Sequence, residues 1–247
     1  MTSTPRESRR IRGLCNDSVR LLDSIDHCVD RGPKRGLNVE PSLACHVIWR
    51  LFEAETRVTE SLPPDYFERM FASDPDPWQF ATSPYETEKY RASIAALGYG
   101  QYRLGLEIGC ANGVLTSQLA PHCDALISID VSGTALAQAQ QRNADLPHVA
   151  FARMTFPSET PEGLFDLIVL SEVVYYWDAA DIATAGAWIT AHTDRPADIL
   201  LVHWTGATDY PQTGDEAVRL LRAAIPRAED IRADRHDKYR LDLWRLA

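Results

Sequence analysis

The sequence of 247 residues lacks an apolar run long enough to cross a membrane, and its basic N-terminus is not followed by an apolar core. We therefore expect neither a membrane span nor a signal peptide, and we take the cytoplasm as the default location. Its five cysteines are scattered and form no C-x-x-C pair, which predicts neither a disulfide framework nor a zinc site. Histidines and carboxylates do not stand at metal-ligand spacing, so we expect chemistry without a metal.

Positive charge is also scarce. The chain has 25 Lys and Arg residues against 35 Asp and Glu, a formal net charge of -10. On average such a surface repels phosphate backbones and anionic lipid, which disfavours nucleic acid and membranes as partners. With 45% hydrophobic residues, the chain is long enough to bury its own core. The expected partner is a small molecule, and no oligomeric state is indicated.

The chain divides near Pro63. Before it, apolar residues recur at helical spacing and a stretch rich in Gly and Pro covers residues 31–36. We predict an N-terminal helical extension over residues 1–63 and a second domain over residues 64–247.

Beyond residue 64, short apolar runs alternate with helical segments, the pattern of β-α-β units around a buried parallel sheet. The predicted helices cover residues 66–71, 84–97, 114–119, 134–143, 179–190 and 217–224. The predicted strands cover residues 104–108, 125–130, 149–153, 165–170, 199–203, 231–236 and 239–246. The last two alternate polar and apolar residues around a short turn, which is typical of a hairpin. The fold class is therefore α/β, a doubly wound, mostly parallel seven-stranded sheet that ends in an antiparallel hairpin.

A loop of small residues follows the first predicted strand. Gly109, Ala111 and Gly113 permit a tight turn and the close approach of a ligand to the amides of the next helix. About twenty residues later the second strand ends in Asp130, at the spacing of an acid that binds a ribose diol. Together with Glu107 this pattern predicts a nucleotide-cofactor loop; alternatively, the small residues only allow close packing of strand and helix. The nicotinamide fingerprint G-x-G-x-x-G and the Gly-Lys-Ser/Thr phosphate loop are both absent.

The E-x-G-x-x-x-G loop, the acid after the second strand, the Phe165-Asp166-Leu167-Ile168 strand and the terminal hairpin together resemble class I S-adenosylmethionine-dependent methyltransferases, over roughly residues 70–247. Three further segments resemble the NodS family of nodulation N-methyltransferases: Asp76-Pro77-Trp78, Ser83-Pro84-Tyr85-Glu86 with Lys89-Tyr90, and Ser171-Glu172-Val173-Val174-Tyr175-Tyr176. That family methylates the free amine of a deacetylated chitooligosaccharide. The resemblance implies a Rossmann-like fold and S-adenosyl-L-methionine as cofactor.

The resemblance also implies which residues meet the cofactor. The loop residues would surround its methionine portion, Asp130 would bind the ribose hydroxyls, and Val131 would lie beside the adenine. The acid that commonly meets the adenine amine is replaced here by Thr155, so backbone amides at Met154 and Thr155 would serve instead. Ser171 would lie close to the transferable methyl group. The full set of predicted cofactor-binding residues is Tyr90, Glu107, Gly109, Cys110, Ala111, Gly113, Asp130, Val131, Met154, Thr155 and Ser171.

Methyl transfer requires an acceptor held in line and an unprotonated nucleophile. We predict Glu172 and His203 as catalytic residues that help the acceptor lose its proton, with Tyr175 as an orienting hydroxyl. Alternatively, Glu172 begins a helix or contacts the cofactor, and His203 belongs to the core. The neighbouring aromatic residues either stack on a sugar face or are plain core; they are Tyr175, Tyr176, Trp177 and Trp204.

Two segments are candidates to cover the site. Residues 205–216 either form a loop over the acceptor or a turn before the last helix. Residues 78–90 either fold over the cofactor as a lid, with Tyr85, Glu86 and Tyr90 facing inward, or only anchor the first helix.

The predicted function is the transfer of a methyl group from S-adenosyl-L-methionine to a small-molecule acceptor, in particular the amine of an amino sugar or a similar metabolite. One alternative is O-methylation of a sugar or natural product, where His203 would matter more because a hydroxyl needs a stronger base. Others are an inert cofactor-binding module and a nicotinamide dehydrogenase. The Asn/Asp-Pro-Pro-Tyr motif of nucleic-acid and glutamine methyltransferases is absent after the fourth strand.

Overall fold

The computed structural model describes residues 58–98 and 100–247. Of the predicted N-terminal extension, residues 1–57 lie outside the described residues, and residues 58–63 contain no helix. The extension and its boundary therefore remain predictions.

Seven strands of the described residues form one sheet, in the order β3-β2-β1-β4-β5-β7-β6. The strands are β1 (Tyr102–Ile108), β2 (Cys123–Asp130), β3 (Val149–Arg153), β4 (Phe165–Ser171), β5 (Thr193–Trp204), β6 (Glu229–Arg235) and β7 (Tyr239–Leu246). β1 to β5 pair in parallel, and β7 lies antiparallel between β5 and β6. The predicted fold class is confirmed, including the terminal hairpin.

The part of the chain that the structure describes contains six α-helices, two before the first strand and four between strands. They are α1 (Pro64–Ser73), α2 (Pro84–Leu97), α3 (Val114–Leu119), α4 (Gly133–Arg142), α5 (Ala179–Ala191) and α6 (Gly214–Ala224). Short 3-10 turns cover Ala120–His122 and Val174–Tyr176. No helix of the described ranges is long and apolar enough to cross a membrane.

The central strands are buried on both faces, which explains why they read as continuous apolar runs. In β4, Ile168 and Leu170 pack against one side of the sheet together with residues of α5 and α6. Leu167 and Val169 pack against the other side with residues of α2 and α3. Helices therefore cover both faces, as in doubly wound folds, and the ligand-binding edge is the one where the parallel strands end.

Two element starts differ from the prediction by three residues or more. α6 begins at Gly214 rather than at residue 217, because the Thr213 hydroxyl accepts a hydrogen bond from the Glu216 amide and caps the helix. β5 begins at Thr193 rather than at residue 199, through a polar stretch that includes Asp198. Asp198 is buried and accepts hydrogen bonds from Tyr102 and Arg245, so it belongs to the sheet despite its charge.

Candidate functional site

A cavity of about 680 Å³ lies at the carboxyl ends of the parallel strands, within the size range of small-ligand sites. Gly109 after β1, Asp130 at the end of β2, Glu172 after β4 and Trp204 at the end of β5 all line it. The strands thus bring the residues predicted from four separate segments to one place.

The loop after β1 is held in an unusual backbone conformation. Gly109, Ala111 and Gly113 all have positive φ angles, of 79°, 48° and 75°. At Gly113 a Cβ atom would lie 2.6 Å from the Asn143 side chain, so only glycine fits against α4. Gly109 and Ala111 line the cavity, whereas Gly113 does not. The loop therefore packs closely against its neighbours at Gly113 and forms part of the cavity wall at the other two positions, where cofactor binding stays a prediction.

Asp130 connects the two strand ends at this side of the cavity. Its Oδ2 accepts a hydrogen bond from the Ala111 amide at 2.9 Å, and its Oδ1 accepts one from the Ser132 amide at 2.8 Å. Burial raises the pKa of Asp130 despite these hydrogen bonds. Each oxygen can accept a further hydrogen bond, so the carboxylate is suited to a pair of neighbouring hydroxyls in the cavity.

Glu107 lies behind the loop rather than in the cavity. Its Oε2 accepts hydrogen bonds from the Thr116 hydroxyl at 2.6 Å and the Ser128 hydroxyl at 2.8 Å. Burial raises its pKa to about 7. Together with Tyr90 and Cys110 it borders a much smaller space of about 30 Å³. These three predicted cofactor residues thus border this small space, which shares Gly109 and Ala111 with the wall of the main cavity, and not the main cavity itself.

The predicted adenine contacts need correction. Val131, Met154, Thr155 and Ser171 line the cavity. However, the Met154 amide donates to the Asp130 carbonyl at 3.0 Å, and the Thr155 amide donates to the Glu159 carboxylate at 2.7 Å. Because both amides are already engaged, they do not replace the missing acid.

The Glu172 carboxylate accepts three hydrogen bonds beside the cavity. Its Oε1 accepts a 2.6 Å hydrogen bond from Lys89 Nζ, and its Oε2 accepts bonds from the Tyr175 hydroxyl at 2.7 Å and the Trp204 amide at 2.8 Å. Its φ of 57° is rare for a residue with a side chain. Burial alone would raise the pKa of Glu172, but the Lys89 ammonium holds it below its ordinary value. Glu172 is therefore an ionised carboxylate that orients Tyr175.

Lys89 is a site residue that sequence reasoning did not single out. Its side chain is 2% exposed and also contacts Glu86 Oε1 at 2.9 Å. The Glu86-x-x-Lys89 spacing is a signal for pairing along one helix face. Its contact with Glu172 joins α2 to the end of β4, a pairing between distant segments.

His203 is not brought to the cavity. The side chain is fully buried behind Tyr175, with ring centroids 5.4 Å apart. Its Nε2 accepts a hydrogen bond from the Val174 amide at 3.2 Å. Burial lowers the pKa of His203 to about 4, so the imidazole is neutral near pH 7. This geometry agrees with the core interpretation of His203 and not with direct proton transfer.

Aromatic side chains form the wall that faces the loop after β5. The Tyr176 ring lies 4.7 Å from Tyr210 and 4.8 Å from Phe67, and Tyr175 stacks on Tyr210 at 5.4 Å. Trp177 and Trp204 also line the cavity. The predicted aromatic residues are therefore both packed together and open to a ligand on one side.

The two candidate covering segments both reach the cavity. From residues 205–216, Ala207, Thr208 and Tyr210 line it, while the end of this segment begins α6. From residues 78–90, Tyr85 and Glu86 line it.

A third covering segment, residues 61–67, lines the cavity as well, and sequence reasoning missed it. The Leu62 amide donates to the Tyr176 carbonyl at 2.9 Å, which attaches this segment to the aromatic wall. In the described residues, no group of three or more His, Cys, Asp or Glu side chains is placed to hold a metal ion. Metal-independent chemistry remains a prediction.

Comparison with known proteins gives a consistent set of relatives. A family model described as "Nodulation protein S (NodS)" matches residues 63–189. Nodulation protein S of Sinorhizobium fredii strain NGR234 is 38% identical over 112 residues, which is 44% of this chain and 52% of that protein. The Rhizobium tropici protein of the same description is 37% identical over 109 residues, 44% of this chain and 45% of that one. The chain thus matches about half the length of these curated relatives.

Solved structures extend the similarity over more of the chain. The N-methyltransferase NodS from Bradyrhizobium japonicum WM9, crystallised with S-adenosyl-L-homocysteine, superposes with a TM-score of 0.66 at 28% identity, covering 74% of this chain and 97% of that one. A putative methyltransferase from Pseudomonas syringae gives a TM-score of 0.58 at 35% identity, covering 65% of this chain and 98% of that one.

Proposed function

Because this chain belongs to the NodS family, we propose that it transfers a methyl group from S-adenosyl-L-methionine to the amine of a small-molecule acceptor, such as an amino sugar. A related structure, the N-methyltransferase NodS of Bradyrhizobium japonicum, contains S-adenosyl-L-homocysteine. The observation that supports the proposal is one cavity lined by both the Asp130 and the Glu172 carboxylates. We assign Asp130 to its cofactor end, and Glu172 with Tyr175 to its acceptor end.

The residues at the ends of β1 and β2 suit this cofactor. Asp130 would accept hydrogen bonds from the ribose hydroxyls, because both its oxygens retain acceptor capacity. Gly109 and Ala111 would leave room for the methionine portion, and Val131 and Met154 would lie beside the adenine. When bound, S-adenosyl-L-methionine supplies a methyl group already activated by its sulfonium.

At the other end, Glu172 and Tyr175 would orient the acceptor. The Tyr175 hydroxyl donates to Glu172, and burial raises its pKa well above the ordinary value. Tyr175 therefore stays protonated, and its oxygen can accept a hydrogen bond from an acceptor N–H.

The geometry favours an amine over a hydroxyl as acceptor. Removing the proton of a hydroxyl requires a strong base within hydrogen-bond distance. His203 does not line the cavity, and Glu172 has a lowered pKa and accepts three hydrogen bonds. An amine attacks through its own lone pair once its ammonium form has lost one proton. It therefore needs a weaker base than a hydroxyl does.

Calorimetry and turnover test this proposal in sequence. We expect S-adenosyl-L-homocysteine to bind while NAD does not, and we expect methylation of amino sugars but not of their N-acetylated forms, with S-adenosyl-L-homocysteine formation as the readout. Glu172→Gln should lower turnover more than cofactor affinity. Absence of heat with either S-adenosyl compound would remove the cofactor assignment. Binding without turnover on a broad panel of amines and hydroxylated sugars would indicate an inert module.

A further inference from the structure

The buried ion cluster beside the cavity contains more negative than positive groups. It consists of Glu86, Lys89 and Glu172, whose side chains are 8%, 2% and 14% exposed. Two carboxylates share one ammonium, so the ionised cluster is one positive charge short of neutrality. A buried charge without a partner is unfavourable, and a ligand that brings a cation would remove this imbalance.

One buried oxygen of the cluster has no hydrogen-bond partner among the described residues. Both oxygens of Glu172 are engaged, and Glu86 Oε1 accepts from Lys89. The Tyr90 hydroxyl acts to lower the pKa of Glu86, but among the described residues no donor stands at hydrogen-bonding distance and angle to Glu86 Oε2. Glu86 lines the cavity, so this oxygen is a buried acceptor beside the ligand space.

The position of Glu86 along the sheet points to the acceptor rather than to the ribose end of the cofactor. Through Lys89, Glu86 is joined to the end of β4, and its neighbour Tyr85 packs on Trp204 at the end of β5, with ring centroids 6.0 Å apart. β1 lies between β4 and the Asp130 strand β2, a separation of about 10 Å at ordinary strand spacing.

We propose that Glu86 is the catalytic residue that binds the ammonium group of the acceptor through Oε2 and takes up its proton. In this step one N–H bond of the ammonium breaks, the proton moves to Oε2, and the electron pair stays on nitrogen. The resulting neutral amine is the nucleophile. Burial raises the pKa of Glu86, whereas Lys89 holds that of Glu172 low, so Glu86 is the better proton acceptor of the two. This inference rests on the proposed function and assigns the residue that recognises and deprotonates its amine acceptor.

Binding measurements on Glu86→Gln test the inference without turnover. The probes are a glucosamine tetramer, which carries ammonium groups, and its fully N-acetylated counterpart, each titrated by calorimetry with saturating S-adenosyl-L-homocysteine. We expect E86Q to bind the glucosamine tetramer about 10- to 100-fold more weakly than the wild type does. This is the effect of losing a hydrogen bond between charged groups. Binding of the N-acetylated tetramer and of S-adenosyl-L-homocysteine should stay unchanged.

Matched variants separate charge from general damage. Glu88→Gln makes the same chemical change at an exposed position of α2, where Glu88 pairs with Arg91, and should alter no affinity. Glu86→Asp keeps the charge and should lie between the wild type and E86Q in its preference for the charged tetramer. Thermal unfolding of each variant checks that it is folded.

Three outcomes would overturn the inference. The first is that the wild type, with S-adenosyl-L-homocysteine bound, does not bind the glucosamine tetramer more tightly than the N-acetylated tetramer. The second is that E86Q prefers the glucosamine tetramer as strongly as the wild type does. The third is a loss of affinity in E86Q for S-adenosyl-L-methionine but not for S-adenosyl-L-homocysteine, which would assign Oε2 to the sulfonium. In each case the proposed function survives if S-adenosyl-L-homocysteine binds and some acceptor is methylated.

Discussion

The two ends of the cavity stabilise a buried carboxylate by different means. Asp130 accepts hydrogen bonds from two backbone amides, one 19 residues away and one two residues away, and no ammonium or guanidinium group pairs with it in the described residues. Glu172 pairs with the Lys89 ammonium, 83 residues away in sequence, in addition to a hydroxyl and an amide. Accordingly the pKa of Asp130 is raised by burial, whereas Lys89 lowers that of Glu172 against the effect of burial.

The two carboxylates therefore differ in how far the protein compensates their charge. At the Asp130 end, backbone amides hold a carboxylate whose charge is only partly compensated. A ligand that donates hydrogen bonds to this carboxylate would stabilise it further. At the Glu172 end, a cation fixes the carboxylate and joins α2 to the ends of β4 and β5. The fold therefore positions the Asp130 carboxylate through nearby backbone amides and the Glu172 carboxylate through a side chain of a distant helix.

The largest effect is expected from removing the buried cation. Lys89→Met leaves Glu86 and Glu172 buried without a positive partner, which should lower the free energy of unfolding by about 3 to 5 kcal/mol. Urea unfolding at pH 7 measures this loss. Arg91→Met, on the same helix, breaks a pair whose side chains are 72% and 60% exposed, and it should have a much smaller effect because solvent screens an exposed pair. Equal losses in the two variants would show that the cluster does not stabilise the Glu172 end.

The Asp130 end was predictable because its parts are close in sequence. A strand, a small-residue loop and an acid about twenty residues later form one β-α-β unit, and local pattern determines how such a unit folds. The strand and helix positions follow for the same reason, since apolar periodicity reports burial directly. Asp198 shows the limit, because β5 extends through a polar stretch in which this buried carboxylate pairs with Arg245 of β7.

The Glu172 end was predictable only in part. The sequence places Glu172, His203 and Trp204 at strand ends, but successive side chains on a strand point to opposite faces, and the pattern does not say which face borders the cavity. In the structure Trp204 lines the cavity, whereas the His203 side chain is fully buried and does not line it. The Lys89 pairing depends on how α2 packs against the sheet, which no local motif encodes.

A second prediction concerns a buried carboxylate without a cation, Glu107. Burial raises its pKa to about 7 from an ordinary value of 4.5. Its protonated form is thus favoured by folding, and this stabilisation is complete below pH 4.5 and is lost as the pH rises through 7. Over that range the loss should be about 3 kcal/mol, at 1.36 kcal/mol per pKa unit.

Glu107→Gln removes this pH dependence, because an amide does not ionise and its oxygen can still accept from Thr116 and Ser128. Urea unfolding at pH 5 and pH 8, without cofactor, measures the difference between variant and wild type. We expect the variant to gain relative stability at the higher pH. The same difference at both pH values would mean that Glu107 titrates near its ordinary pKa, and that this end of the sheet tolerates a buried charge without a cation.

The smallest effect, and the one most specific to binding, is expected at Asp130. Asp130→Ala removes the carboxylate proposed to accept hydrogen bonds from the ribose hydroxyls. It should weaken the binding of S-adenosyl-L-homocysteine by about 1 to 3 kcal/mol, the value of a hydrogen bond to a charged group. Asp124→Ala, at an exposed position of the same strand, serves as the control and should leave affinity unchanged. Because Asp130 also holds the Ala111 amide, a modest loss of stability accompanies the change. Unaltered affinity in a folded Asp130→Ala variant would move the ribose contact elsewhere and leave the two carboxylates differing only in how the fold stabilises them.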